Sequence, residues 1–251
     1  MKHLMVFVFS IILLFANGYL YPSTGHNVEV NCPLCNNTVS YWMQLSYSIF
    51  TYGLDLKPIG AARIPEPIPR CNDCGFVFIE DYLTNEEIQI LKTYVIDQNI
   101  LSGKENLPNY YYLAYLLELL DNWNYNEITY FYVASVWEYS LIKMTVEYIE
   151  EHGLENTNGL SFDMEIYNHL MLNAINKINN MNNDSEEYNN MQMIKLDFLR
   201  RLGLFEEATL QINYIMNNEN LFQGIFIDII AYQIKLIEAN DINEHNLMEV
   251  L

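Results

Sequence analysis

All four cysteines of the chain fall in two CxxC pairs, Cys32-Pro33-Leu34-Cys35 and Cys71-Asn72-Asp73-Cys74, and nothing else in the sequence constrains the fold as tightly. A CxxC pair folds over a tight turn and presents two sulfurs together, so two pairs supply the four thiolates that one tetrahedral zinc ion takes. The residue after each second cysteine suits that turn. Gly75 enters the left-handed region without strain, and Asn36 is one of the few other residues that does so readily. Each pair therefore reads as a zinc knuckle, with Cys32, Cys35, Cys71 and Cys74 as the ligands of a structural Zn2+. A closed four-cysteine site pins a chain and performs no reaction.

Two other states compete for the same residues: structural disulfides, and a redox-active Cys-Pro-x-Cys of the kind that stabilises a thiolate at a helix start. The amino terminus makes the competition real. Lys2 and His3 precede an apolar run from Leu4 to Ala16, broken only by Ser10, and Ala16-Asn17-Gly18 then offers the small residues a signal peptidase reads. Residues 1–18 are thus expected to be a signal peptide cleaved after Gly18, sending the protein to the cell envelope, the periplasm or the exterior. Retained, the same run would anchor the chain to a membrane, although it is short for roughly 30 Å of hydrocarbon. Export favours disulfides. A thioredoxin-like site, however, needs one CxxC between a strand and a long helix, whereas here a second pair follows and the residues after Cys35 do not read as a helix. Zinc is the first assignment and a thiol–disulfide oxidoreductase the alternative.

With 51% hydrophobic residues, the 251-residue chain can bury a core. Its 32 acidic against 12 basic residues give a net charge of -20, which leaves no surface for neutralising phosphates, so nucleic acid is not an expected partner. So much acid reads as a solvated, self-repelling surface.

Between the knuckles, aromatic and β-branched residues from Thr38 to Tyr52 predict a small sheet or hairpins. Pro58-Ile59-Gly60 and Ile64-Pro65-Glu66-Pro67-Ile68-Pro69 are then expected to break any regular structure, the prolines making a stiff arm into the second knuckle, followed by a short strand at Phe76 to Ile79. Thr84 and Glu87 have capping-box spacing, and from there the chain is helical. The first helix carries Ile88, Leu91 and Val95 on one face, and Pro108 opens a second with Tyr112, Leu116 and Leu119. A third is expected over Ile128 to Ile149, with Val133, Val136 or Trp137, and Ile142 inward. A loop bracketed by Gly153 and Gly159 leads to a fourth, Phe162 to Ile178. Asp184 and Glu187 start a fifth, with Met191, Ile194, Phe198 and Leu202 inward and Gly203 as its stop. The sixth places Phe205, Ala208, Ile212 and Ile215 on one side. A seventh, Leu221 to Glu238, is apolar on more than one side and is expected to pack between neighbours.

The segment Leu199-Arg200-Arg201-Leu202-Gly203-Leu204-Phe205-Glu206-Glu207-Ala208 resembles the centre of a tetratricopeptide (TPR) repeat, where Gly-x-aromatic-x-Glu-Ala joins two antiparallel helices. The glycine permits the turn, and the small alanine lets neighbouring helices approach closely. Together, CPxC, a long spacer, CxxCGF with a capped helix after it, Tyr-Phe-Tyr-Val-Ala-Ser-Val-Trp, and this turn look like a bacterial family of uncharacterised proteins with an amino-terminal zinc ribbon and TPR-like helices. The resemblance implies a mainly α fold: a small zinc-ribbon-like β module over residues 28–80 and a TPR-like α-helical domain over residues 84–251. It implies structural zinc and no assigned reaction.

Signatures of common catalysis are missing: no His-Glu-x-x-His, no Gly-x-Ser-x-Gly, no P-loop and no dinucleotide fingerprint occurs. His169 beside Glu165 and Asn173 reads as a packed or surface residue, and His26 as preceding the knuckles in a flexible segment. Tyr112, Tyr132 and Trp137, taken singly, read as core. The expected function is an exported protein-protein interaction module that captures a protein or peptide.

Overall fold

The computed structural model of the chain describes residues 24–60, 63–97, 107–121, 123–153, 161–183, 187–218 and 224–250. The expected signal peptide lies outside them, as do Gly159 and Asp184. Strand β1 (Gly25–Asn31) pairs antiparallel with β2 (Thr38–Gln44), Val30 opposite Val39 and Val28 opposite Tyr41. The alternation of a half-buried strand turns these four toward the core. His26 therefore sits in a regular strand, exposed and opposite Met43, and not in a flexible lead-in.

A second antiparallel pair joins β3 (Ile49–Tyr52) to β4 (Pro58–Gly60), in place of the expected break in regular structure; Pro58 is tolerated as the first residue of its strand. Glycine is required at position 60, because a Cβ there would lie 1.9 Å from the Ser48 carbonyl oxygen. The strand expected at Phe76 to Ile79 does not form. What stands there is one bridge, Arg70 opposite Val77, with the Phe78 N–H donating to the Pro69 carbonyl at 3.2 Å. Pro67 and Pro69 lack the N–H groups a longer ladder would need.

Helix α1 (Asn85–Lys92) starts as its sequence dictates. The Thr84 hydroxyl accepts from the Glu87 N–H at 3.3 Å, and the Glu87 carboxylate accepts from the Thr84 N–H at 2.7 Å. A π-helical turn, Thr93–Asp97, prolongs it, so that Leu91 and Val95 are both buried. Pro108 caps α2 (Asn109–Leu117) without a side-chain bond; Glu138 accepts the Tyr110 N–H at 3.0 Å in its place. Helix α3 (Tyr125–Glu151) begins ahead of the expected Ile128, because the Asn124 side chain accepts from the Asn126 N–H at 2.9 Å. Val136 and Trp137 are both buried, since α2 packs on α3 from one side and α4 (Met164–Asn179) from another. Asp163 caps α4, leaving Phe162 just outside the helix.

Helix α5 (Tyr188–Arg201) and α6 (Phe205–Met216) are joined by three residues. Gly203 at φ 71° turns the chain, the Gly203 N–H donates to the Arg200 carbonyl at 2.9 Å, and the Leu204 N–H donates to the Leu199 carbonyl at 3.0 Å. These two bonds complete a Schellman motif. From α2 onward each helix packs on the next, ending with α7 (Ile225–Glu238), which also touches α5. Contrary to expectation, α7 is not sandwiched. With α5 and α6 as its helical neighbours, it leaves Ile225, Ile227 and Ile234 exposed. The protein is thus mostly helical, with a small β module at its amino-terminal side.

Candidate metal centre

Each cysteine pair is set by the same backbone device. In the first, the Cys32 N–H donates to the Asn37 carbonyl and the Asn36 N–H to the Cys32 carbonyl, both at 2.8 Å. In the second, the Cys71 N–H donates to the Phe76 carbonyl at 2.8 Å and the Gly75 N–H to the Cys71 carbonyl at 2.9 Å. Asn36 at φ 61° and Gly75 at φ 74° provide the left-handed residue each turn needs. The first knuckle is the tip of the β1–β2 hairpin, where Asn31 and Thr38 form the last pair; the second follows Arg70 and closes at Val77.

The two tips meet. The sulfurs of Cys32 and Cys74 lie 3.7 Å apart, those of Cys35 and Cys71 3.5 Å, and all four within 4.8 Å of one another. Four sulfurs at the Zn–S distance of a tetrahedral thiolate site would be separated by about 3.8 Å. The donor set and its spacing fit one zinc ion, and no fifth candidate ligand joins the group among the described residues. Cys32 and Cys71 are buried, and Leu34, Val39, Ile68 and the stacked rings of Phe76 and Phe78 belong to the surrounding core. Burial pushes the Cys32 thiol up to about 11 and the Cys74 thiol up as well. A divalent cation supplies the charge that lets such thiols ionise. After Cys35 the chain runs into β2 and not into a helix, so the setting that lowers a redox-active thiol is missing there.

His169 is exposed and bonds Asn173 at 2.9 Å, a surface histidine on α4. Tyr112, Tyr132 and Trp137 are core, and none of the three is available to anchor a partner.

Sequence reasoning missed the role of the two arginines before Gly203. Arg200, fully buried, donates to the Asp197 carboxylate and the Gln233 side chain, each at 2.8 Å, and to the carbonyls of Asp241 and Asn243. Arg201 reaches Asp55 at 3.2 Å and Glu244 at 3.0 Å, and bonds the Tyr167 hydroxyl. Burial pushes the Asp197 carboxyl up to about 6, against the pull of Arg200 and with the help of the like charge on Asp55. An arginine pair at the end of an apolar helix was the available signal, since Arg is the cation suited to buried, multiply bonded positions.

A groove of about 490 Å³ opens where α4, α5 and α6 meet, lined among others by Ile175, Tyr188, Lys195, Leu210 and Tyr214. Leu210 is 68% exposed, and the hydroxyls of Tyr188 and Tyr214 bond each other at 2.9 Å. No helix among the described residues is long and apolar enough to cross a membrane. No family model, no curated protein and no solved structure matches the chain.

Proposed function

We propose that this chain is an exported, zinc-pinned protein-interaction module: Cys32, Cys35, Cys71 and Cys74 hold one structural Zn2+, and the TPR-like helical array captures a protein or peptide. The observation that carries the zinc part is the convergence of four sulfurs from two separate turns to within 4.8 Å. Such a site adds folding energy to a segment too small to be stable on its own core. The interaction part rests on the α4–α6 groove, whose exposed leucine and tyrosine pair offer apolar contact and hydrogen bonding together, as interface anchors do. Export rests on the Leu4–Ala16 run and its Ala16-Asn17-Gly18 end.

One preparation tests the reading. The mature protein, isolated from the envelope or medium of its own cells, should begin at Tyr19, contain one zinc per chain, and release four thiols only after denaturation with a chelator. Met1 retained in the membrane fraction would replace secretion with anchoring. Two disulfides and no metal would remove the zinc account, and catalytic turnover of a model disulfide through Cys32 would establish the oxidoreductase alternative.

A further inference from the structure

The β3–β4 hairpin does not stand free. Gly53 bridges to Asn246 and the Leu54 N–H donates to the His245 carbonyl at 3.0 Å, so the carboxy-terminal segment holds the hairpin against the helices. Between hairpin, α3 and the end of α5 lies a cavity of about 660 Å³. This is the size of a small-molecule site. Its lining carries apolar side chains, Trp42, Ile59, Ile142 and Met144 among them, and charged ones, Asp55, Lys57, Arg63, Asp197, Arg201 and Glu244.

Each carboxylate of that lining has an ion-pair partner, drawn in part from Arg200 and Lys143, which do not themselves line the cavity. Arg201 lies 3.2 Å from Asp55, 3.5 Å from Asp197 and 3.0 Å from Glu244; Lys143 adds a contact to Glu244 at 3.4 Å, and Arg200 holds Asp197 from behind. Three carboxylates are thereby matched by three cations. Lys57 remains. It is only 8% exposed, and its ammonium group donates to the Ser140 hydroxyl at 2.5 Å, whose own proton goes to the Trp137 carbonyl at 2.9 Å. No carboxylate of the described residues lies within ion-pair distance of it, and Asp55 instead accepts the Lys57 backbone N–H at 3.1 Å. An ammonium has three donors, and burial pulls the Lys57 amine down from its ordinary range even with the charges of Asp55 and Glu244 acting on it, so an anion in direct contact would stabilise its charged form.

We propose that this cavity binds an organic monocarboxylate, its carboxylate on the Lys57 ammonium and its apolar body against Trp42, Ile59 and Ile142. The charge count selects the class. One unmatched buried cation takes one negative charge; a phosphate dianion would bring a second beside Asp55 and Glu244, and an amine would face Lys57 itself. Arg63 also lines the cavity but is exposed, and its charge acts on Glu138.

The test is calorimetric titration of the full mature chain with octanoate and with phenylacetate, using octanol, octylamine and octyl phosphate as comparators. At least one carboxylate is expected to bind, and each comparator to bind at least about ten-fold more weakly: octanol and octylamine lose the charge-assisted hydrogen bond, and octyl phosphate brings a second charge beside Asp55 and Glu244. Lys57→Met should lose carboxylate binding by a similar factor while keeping its zinc, and Ile142→Trp, which fills the cavity and spares Lys57, should lose it too. The proposal is overturned if neither carboxylate binds at millimolar concentration, if octanol or octyl phosphate binds as well, or if Lys57→Met binds as tightly as the parent. Should Lys57→Met not fold, protection of the Lys57 amine from acetylation by octanoate in the parent chain decides: protection supports the site and its absence overturns it.

Discussion

Asn36 and Gly75 share one backbone twist, at φ 61° and 74°, and occupy equivalent places in the two knuckles. They should nevertheless respond in opposite ways to substitution. Gly75→Ala places a Cβ where L-residues are strained, at a cost of about 1 to 2 kcal/mol. Asn36→Gly relieves a similar strain, offset in part by the greater freedom of glycine in the unfolded chain. Competition with a chromophoric chelator should show zinc held less tightly by Gly75→Ala and unchanged or slightly tighter by Asn36→Gly. If both variants lose zinc equally, the Asn36 side chain contributes something beyond the turn. At the same scale, Arg200 shows how far a single residue can reach: one guanidinium satisfies groups on α5, on α7 and in the segment after α7. Being permanently charged and planar, it can be buried where a lysine could not make the same set of bonds.

The α5–α6 pair is governed by Gly203 and Ala208, for different physical reasons. A Cβ on Gly203 would meet nothing within 4 Å, so Gly203→Val costs only the strain of a left-handed β-branched residue, on the order of 1 to 3 kcal/mol. Ala208 is fully buried, so Ala208→Leu forces extra methylenes between packed helices, again about 1 to 3 kcal/mol. Urea denaturation should show both losses with zinc content unchanged. Only Ala208→Leu is expected to alter the groove beside Leu210 and Gln211, and hence to weaken partner capture by more than its stability loss explains. Equal effects of the two variants on capture would place the binding face elsewhere.

At the scale of the molecule, the β module is tied to the helices at several points besides the cysteines. Lys57 bonds Ser140, Asp55 meets Arg201, Asn109 donates to the Ile68 carbonyl, the Tyr110 hydroxyl donates to the Glu66 carbonyl, and Arg70 stacks 4.2 Å over the Tyr112 ring. Zinc in such sites is worth roughly 10 to 16 kcal/mol, so its loss cannot be absorbed locally. Cys32→Ser is expected to abolish zinc binding and to expose the amides of β1, β2 and the second knuckle to hydrogen exchange. The β3–β4 hairpin, held by α3, α5 and the carboxy-terminal segment, should stay protected, and the helical circular-dichroism signal should persist. Uniform loss of protection from Gly25 to Gly60 would mean that the metal, and not the helices, holds the hairpin.

What could be read from the sequence is what a few neighbouring residues decide among themselves. The CxxC turns with Asn36 and Gly75 after them, the Thr84–Glu87 box and the Gly203 turn are all satisfied by hydrogen bonds spanning a handful of positions, and the mainly helical class follows from apolar spacing of the same short range. That the two knuckles converge was suggested by their pairing, but their meeting to within 4.8 Å is a matter of tertiary structure. So are the exposed face of α7, the failure of the strand after Cys74, and the burial of Arg200, Arg201 and Lys57. Arg201 finds Asp55 across 146 positions and Lys57 finds Ser140 across 83. Whether a charge is buried, and whether anything meets it there, depends on which distant elements pack around it, and no local pattern of residues encodes that.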